Sequence, residues 1–411
     1  MNSEQPATAG RGVGAPRTGG ARGWGPGRGG EAASQHGAYV HVPFCENRCD
    51  YCDFATWTDR AHLMERYAQA CVADVRRRRR SGQLAPATSV FFGGGTPSLL
   101  PAELLTAILG AIPRLPDAEV TVECNPDAVD AAKLDAYRAA GVNRLSFGVQ
   151  SFEPRVLACL GRTHNPDNVA AALGAARAAG FTNINVDLIY GAPAETATDW
   201  LATLEAALAF APEHVSAYAL TVEPGTPLHR RILAGGAVAP DEDDQADRYL
   251  AADAVLSRAG LSWYEISNWA QPGRECRHNQ LYWAQGDYTA IGCAAHGHSG
   301  GRRWWNVRTP ERYIALVEGD KPTEAGSETL DSRTRAAEAL ALALRTRRGA
   351  ATDDDAGLVD DGLAEWCWPP LGPGASPEVD RRLVLTLTGR LLANEATVRL
   401  QLAGDQLSAR S

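Results

Sequence analysis

Residues 39–54 of the 411-residue chain read YVHVPFCENRCDYCDF, and the fold prediction starts from this stretch. Apolar residues alternate over its first four positions, which predicts a strand. Pro43 ends that strand because proline has no backbone donor. Cys45, Cys49 and Cys52 follow with the spacing C-x3-C-x2-C, so one loop can turn three thiolates towards a single ligand.

Three thiolates in one loop indicate a site for a soft metal. Thiolates select zinc, copper(I) or an iron–sulfur cluster. A structural zinc ion normally takes four protein ligands, and the loop from Cys45 to Cys52 contains no fourth Cys or His. A cubane cluster held by three thiolates would leave one iron open for a substrate or cofactor. From the spacing alone, a zinc knuckle remains the alternative.

Composition and charge narrow the class of protein. The chain is 45% hydrophobic with a net charge of -9, which predicts a soluble protein and argues against nucleic acid as the main partner. It has no apolar run long enough for a transmembrane helix, and its N-terminus lacks the apolar core of a signal peptide. Nine cysteines without a signal peptide do not suggest a disulfide framework. We therefore expect a reducing, cytoplasmic location.

Strand and helix patterns alternate from residue 38 to about residue 260. Five strands are predicted after the first one: Thr88–Phe92, Glu119–Cys124, Asn143–Val149, Asn183–Ile189 and Val215–Leu220. Ala-rich helical patterns separate them, near 60–80, 101–112, 128–140, 165–179 and 196–210. Six βα units predict a parallel sheet covered by helices, and six are too few for a closed eight-stranded barrel.

The rest of the chain divides by composition. Residues 1–36 are rich in Gly and Arg and are predicted to be a disordered tail. The α/β core is assigned to residues 37–260, and a Trp-rich extension to residues 261–330. Residues 331–411 are predicted to form a small C-terminal domain, with a helix over 331–346 and a strand, turn and helix over 382–393. A winged-helix-like module is one interpretation of this end.

Polar and glycine residues fall where the predicted strands end, and barrel enzymes bind ligands at that end. Gly93–Pro97 follow the second strand, where glycines allow a backbone to approach a ligand closely. Glu123 and Gln150 end the third and fourth strands, and Arg162 follows. Asp187 lies inside the fifth strand, where a charge is costly unless paired, and Arg162 is its candidate partner. Each residue could be structural, but four at one end of successive strands favour a shared site.

The cysteine loop after a first strand, with an aromatic residue just before its third cysteine, resembles the radical S-adenosylmethionine (SAM) superfamily. The resemblance implies a partial (β/α)6 barrel in which Cys45, Cys49 and Cys52 hold a 4Fe–4S cluster. In that superfamily the amino and carboxylate groups of SAM chelate the open iron. One electron from the cluster then splits SAM into methionine and a 5′-deoxyadenosyl radical.

Five further motifs make the chain similar to the oxygen-independent coproporphyrinogen III oxidase family. They are YVHVPFC, FFGGGTPS, GVQSF, DLIYG-P and EPGTPL, and the likeness spans roughly residues 38–300. It implies SAM contacts from one set of residues: Tyr39, Tyr51, Gly94, Gly95, Thr96, Glu123, Gln150, Arg162 and Asp187. In the oxidase itself these contacts are shared between two SAM molecules.

Two features make the chain resemble the haem chaperone HemW branch of this family rather than the true oxidase. The oxidase carries C-x3-C-x2-C-x-C, whereas Phe54 stands here at the fourth cysteine position. The chaperone branch carries H-N-x-x-Y-W, present at residues 278–283. This likeness implies His278 as a haem iron ligand, with Tyr282 and Trp283 flanking the macrocycle. The alternative is that these aromatics are core and that haem meets another histidine such as His296.

The resemblance implies a protein that binds a 4Fe–4S cluster, SAM and haem and hands haem to an acceptor protein. A respiratory, membrane-associated acceptor is expected, together with an electron donor protein. The first alternative is a coproporphyrinogen III oxidase, and the second is a radical SAM methyltransferase or ring-opening enzyme that acts on haem. No catalytic residue is assigned, and nucleic acid is not an expected partner.

Overall fold

The computed structural model describes residues 35–368 and 381–408, with side chains of the last helix described to residue 402. All but the last two residues of the predicted N-terminal tail lie outside the described residues. The strands of the main sheet are β1 (His36–Val42), β2 (Ala87–Gly94), β3 (Arg114–Cys124), β4 (Arg144–Gln150), β5 (Ile184–Tyr190), β6 (His214–Ala219), β7 (Ser262–Glu265), β8 (Asn268–Ala270), β9 (Asp287–Ile291), β10 (His296–Ser299), β11 (Arg302–Asn306) and β12 (Glu324–Thr329).

The helices between and after these strands follow the predicted alternation. They are α1 (Met64–Arg80), α2 (Ala102–Ala111), α3 (Ala131–Ala140), α4 (Pro154–Cys159), α5 (Pro166–Ala178), α6 (Ala197–Ala209), α7 (Pro227–Leu233), α8 (Glu242–Arg258), α9 (Arg277–Trp283), α10 (Pro310–Glu318), α11 (Ser332–Leu344), α12 (Leu387–Leu391) and α13 (Ala393–Ser408). Short 3-10 turns cover Ala61–Leu63, Pro97–Leu99 and Pro126–Ala128. A capping box between Thr196 and Asp199 begins α6.

The first six strands form the predicted (β/α)6 core. Each pairs in parallel with the next, from β1 to β6, because every connection crosses over through a helix. The sheet order is linear, so the barrel is open, and each of the six predicted strands overlaps an observed one. The prediction of a partial (β/α)6 barrel is confirmed.

Residues 261–330 extend the same sheet at both of its edges. At one edge β9 pairs in parallel with β1, and β10, β11 and β12 add antiparallel strands. At the other edge β8 and β7 follow β6, also antiparallel. Tyr313 and Ile314 of α10 pack into the core cluster of the barrel. The extension and the barrel therefore share one sheet and one core.

The C-terminal segment has a second, smaller core. Its hairpin consists of β13 (Ala364–Cys367) and β14 (Arg382–Leu385), and α11, α12 and α13 accompany it. Leu344, Leu358, Leu383 and Leu400 are buried together in this cluster. Helices with an antiparallel hairpin are consistent with the winged-helix-like interpretation.

Along the parallel strands, alternate side chains lie in two different environments, one apolar and one polar. Leu145 and Phe147 of β4 are buried in the apolar core under the helices, and the intervening Ser146 donates to Asp187 of β5 at 2.8 Å. Because successive side chains of a strand point to opposite faces, the polar set faces the barrel interior.

Among the described helices, none is long and apolar enough to cross a membrane.

Candidate functional site

The cysteine loop leaves the C-terminal end of β1 and is closed at its base. The backbone N–H of Cys45 donates to the Trp57 carbonyl at 3.1 Å, and the Trp57 N–H donates to the Pro43 carbonyl at 2.8 Å. Farther along, the N–H of Asp50 donates to the Leu160 carbonyl at 3.0 Å. The Asp50 carboxylate also pairs with Arg231 at 2.8 Å. These contacts hold the loop against the barrel.

Cys45, Cys49 and Cys52 are half-buried free thiols that line one cavity of about 480 Å³. Burial raises the pKa of Cys52 to about 11, and charge on Cys49 and Cys45 adds to the rise. Among the described residues, no three His, Cys, Asp or Glu side chains are arranged to hold a single metal ion. Three thiols on the wall of one cavity match a cluster with one open iron, whereas a structural zinc ion normally takes four protein ligands.

The glycine run after β2 lies directly against the cysteine loop. The N–H of Gly95 donates to the Val42 carbonyl, and the N–H of Thr96 donates to the Phe44 carbonyl, both at 2.8 Å. A Cβ on Gly95 would lie 2.7 Å from the Phe44 carbonyl oxygen and 2.9 Å from the Cys45 sulfur. Only glycine therefore fits between the two loops. The Thr96 hydroxyl is 3.7 Å from the Cys45 sulfur and donates to it.

Glu123, at the end of β3, borders the same cavity. Its carboxylate accepts a hydrogen bond from the N–H of Gly94 at 3.3 Å. Burial raises the Glu123 pKa to about 8, and the negative charge of Asp187 adds to the rise. A carboxyl group with this pKa is largely protonated at neutral pH, so it can donate as well as accept a hydrogen bond.

Arg162 and Asp187 both line the cavity, but the predicted pairing between them is wrong. Asp187 accepts hydrogen bonds from Ser146 and Asn185, each at 2.8 Å. Arg162 donates to the Gly148 carbonyl at 2.5 Å and to the Cys49 sulfur at 3.5 Å. The hydroxyl of Ser146 and the amide of Asn185 thus satisfy the Asp187 carboxylate, while the Arg162 guanidinium points to a cysteine.

The structure brings most of the predicted SAM residues together. The cavity that holds the three cysteines is also lined by Tyr51, Gly94, Gly95, Thr96, Glu123, Gln150, Arg162 and Asp187. Gln150 has a φ of 67°, an unusual conformation for a non-glycine residue that is often found at functional sites. Tyr39 is placed differently, because it lines a second cavity and its hydroxyl contacts the imidazole of His41 at 3.2 Å.

The predicted haem ligand His278 lies inside the barrel, below the site. It is fully buried, and its Nδ1 and Nε2 are 2.8 Å and 2.9 Å from the hydroxyls of Ser89 and Tyr282. Its ring packs on Phe91 with 5.3 Å between centroids. Burial lowers the His278 pKa to about 3, so the imidazole is neutral. With both nitrogens engaged, His278 is not placed to ligate a haem iron, which corrects the sequence interpretation.

Helix α9 as a whole closes the N-terminal end of the barrel. A Cβ on Gly37 of β1 would lie 2.6 Å from Leu281 and 3.0 Å from His278, so α9 packs directly on the strand. The Glu119 carboxylate of β3 accepts from the N–H of Arg277 at 2.9 Å, which anchors the start of the helix. The guanidinium carbon of Arg345 lies over the Trp283 ring, 5.4 Å from the ring centroid. Of the three predicted haem residues, Tyr282 lines the second of the two cavities, and His278 and Trp283 line neither.

The second cavity is larger, at about 890 Å³, and adjoins the first. Phe54, Gly94 and Glu123 line both cavities. Most of the other lining residues come from the extension and from α11, including His296, Arg303, Trp305 and Arg308. Of these, only His296 was considered from the sequence. Alternation along β11 could have placed Arg303 and Trp305 on one face, but no local pattern shows what that face covers.

Comparisons with known proteins agree with this geometry. The model of the Radical SAM superfamily matches residues 39–207. The chain is 42% identical over 379 residues to "Heme chaperone HemW" of Mycobacterium tuberculosis, covering 88% of this chain and 94% of that protein. It is 34% identical over 368 residues to the protein of the same name from Bacillus subtilis, covering 87% and 97%.

A solved structure shows the same fold. The radical SAM enzyme coproporphyrinogen III oxidase (HemN) of Escherichia coli superposes with a TM-score of 0.75, covering 90% of each chain at 22% sequence identity. At that identity the likeness extends to the fold alone. It includes the α/β barrel that carries the cysteine loop.

Proposed function

Because the chain belongs to the radical SAM superfamily and, within it, to the haem chaperone HemW family, we propose that it carries haem to an acceptor protein. The superfamily implies a 4Fe–4S cluster and SAM. The observation that carries the haem proposal is the large aromatic-lined cavity that adjoins the cysteine cavity through Phe54, Gly94 and Glu123. SAM and haem would then bind in adjoining cavities that share these three residues.

The cofactor residues take defined roles in this proposal. Cys45, Cys49 and Cys52 hold the cluster, which when bound supplies one-electron chemistry to SAM. Gly94, Gly95 and Thr96 present backbone and hydroxyl groups to the methionyl part of SAM. The remaining polar and aromatic contacts come from the walls of the cavity: Tyr51, Glu123, Gln150, Arg162 and Asp187.

Charge placement supports these assignments. Arg162 donates to the Cys49 sulfur at 3.5 Å, which puts a guanidinium beside one of the proposed cluster ligands. Glu123 and Asp187, on the wall of the same cavity, would supply acceptors for the amino group and ribose hydroxyls of SAM. Tyr39, the remaining residue of the predicted SAM set, lines the larger cavity and not the cavity that holds the cysteines.

The alternative is oxidative decarboxylation of coproporphyrinogen III. Phe54 argues against it because a phenylalanine, 62% exposed, stands where the oxidase motif has its fourth cysteine. The proposal also includes a cytoplasmic location, an electron donor and a respiratory acceptor at the membrane. No catalytic residue is assigned, since haem transfer needs binding and release rather than bond making.

The test is anaerobic reconstitution followed by two incubations, one with haem and one with coproporphyrinogen III. We expect a Soret band that saturates with haem, and no decarboxylated product by mass spectrometry. A variant with all three cluster cysteines changed to Ala should lose its iron and sulfide while keeping its far-UV circular dichroism. Turnover of coproporphyrinogen by the wild-type protein would overturn the chaperone proposal in favour of the oxidase. A haem product of altered mass would instead indicate a methyltransferase or ring-opening enzyme.

A further inference from the structure

The larger cavity provides a haem site that does not use His278. Resting on the proposed function, we propose that haem lies in this cavity with His296 as an axial iron ligand and with Arg308 at a propionate. The cavity of about 890 Å³ is in the range of cofactor sites. The two side chains lie on its wall, and α9 contributes Tyr282 but not His278 to its lining.

His296 has the properties that an iron ligand needs. It begins β10, its side chain is exposed to the cavity, and its ring lies 6.0 Å from that of Trp305. Within the part of the chain that the structure describes, the His296 imidazole has no hydrogen-bond partner. By contrast, His41 and His298, which line the same cavity, are nearly buried and contact the carbonyls of Ala55 and Gly286 at 3.0 Å and 2.9 Å. A free, exposed imidazole can coordinate iron without breaking existing contacts.

The walls of the cavity suit a flat, apolar ring system. Tyr39, Tyr282, Tyr288, Trp305 and Phe54 line it, and aromatic side chains offer planar faces to a macrocycle. Phe54 is 62% exposed at the edge of the cavity. A ligand that covers a large apolar side chain is stabilised, because apolar surface is removed from water. A porphyrin against Phe54 would therefore bury the side chain that replaces a cysteine in the oxidase motif.

The charges on the walls suit the anionic edge of haem. Arg303 is already held by Glu328 and Glu338, at 2.9 Å and 3.1 Å. Arg308 is exposed and, within residues 35–368 and 381–402, has no carboxylate partner. An unpaired guanidinium on the rim can bind a propionate through charge-assisted hydrogen bonds. A second SAM, which carries a sulfonium cation, gains less from this guanidinium than a dicarboxylate does.

The direct test is a spectral titration of the full-length, cluster-reconstituted protein with ferric haem. His296→Ala should lose the axial-histidine spectrum and weaken haem binding about tenfold or more. His296→Cys should convert the spectrum to that of a thiolate-ligated haem, a change that general loss of structure cannot produce. His62→Ala, at an exposed position outside the cavity, should match wild type. Iron and sulfide content checks that each variant retains its cluster.

Arg308 is tested with a chemically modified ligand. Arg308→Ala should weaken haem binding about threefold, as expected for a partly exposed ion pair. The same variant should bind haem dimethyl ester as wild type does, because the ester has no propionate charge. Arg312→Ala removes an exposed arginine of α10 that does not line the cavity and should leave both affinities unchanged.

The outcomes separate this site from the proposed function. If wild type binds haem and His296→Ala binds it with the same affinity and spectrum, the site is wrong while the chaperone function stands. If wild type takes up no haem, both fail. If two SAM molecules bind each chain and SAM displaces haem competitively, the cavity is a second SAM site and the proposal is overturned.

Discussion

Replacing Glu123 by glutamine should stabilise the cofactor-free protein, and the gain should grow as the pH rises from 5 to 8. Burial, followed by the charge of Asp187, raises the Glu123 pKa from 4.5 to about 8 in the folded protein. Between these two values the folded state holds a proton that the unfolded state releases. The stability that the protonated group contributes is therefore present below pH 4.5 and is lost as the pH rises through 8. Glutamine cannot ionise, so the variant escapes this loss.

The size of the effect follows from the shift in pKa. A shift from 4.5 to about 8 corresponds to about 5 kcal/mol when integrated over the whole range. Glu123 is partly exposed and borders two cavities, and hydration of a partly exposed carboxylate reduces the penalty on its charged form. We therefore expect the free energy of unfolding of Glu123→Gln, relative to wild type, to increase by about 2–3 kcal/mol from pH 5 to pH 8.

Urea denaturation of both proteins at several pH values measures this difference. Other titrating groups are present in both proteins and largely cancel in the comparison. Glu205→Gln changes an exposed glutamate of α6 and should give a small difference at every pH, because solvent screens its charge. A Glu123→Gln difference that stays within about 0.5 kcal/mol from pH 5 to pH 8 would refute the reasoning.

Three further predictions concern the cluster loop, the SAM site and the barrel floor. Gly95→Ala should lower the cluster content measured as iron and sulfide, because its Cβ would press on the cysteine loop, whereas Gly110→Ala on α2 has open space and should not. Thr96→Tyr should block SAM in equilibrium dialysis while the cluster remains, and unaltered SAM affinity would argue against this site. His278→Ala should lower the free energy of unfolding by roughly 2–4 kcal/mol in urea, since it leaves the buried Ser89 hydroxyl and that of Tyr282 without their shared partner. The folded variant should still bind haem, and loss of the axial-histidine spectrum would return the ligand role to His278.

Local sequence determined the parallel core and the cluster loop. The βα alternation predicted six strands because hydrophobic period and helix ends are local properties of the chain. The cysteine spacing and the glycine run could also be recognised directly. In the structure the two are adjacent, since a Cβ on Gly95 would lie 2.9 Å from the Cys45 sulfur. Consecutive parallel strands end at the same edge of a sheet, so the sequence predicted a shared site for Glu123 and Asp187, and both line the cavity that holds the cysteines.

Tertiary structure alone decided which polar groups pair and which aromatic residues are exposed. Arg162 and Asp187 have compatible charges, but Ser146 and Asn185 satisfy the carboxylate because they lie beside it in the sheet. The burial of His278 could not be predicted either, since a motif of six residues does not show whether its helix packs against the barrel or lies on the surface.

The larger cavity is the clearest product of the tertiary structure. It requires β9 to pair with β1, which brings residues near the start of the chain against the extension, and it requires α11 to cover the opposite wall. Such contacts between distant segments depend on sheet order and core packing rather than on local pattern. The sequence therefore determined the residue types around the cysteine loop, while the fold determined that His296 and Arg308 share a cavity with Phe54 and Glu123.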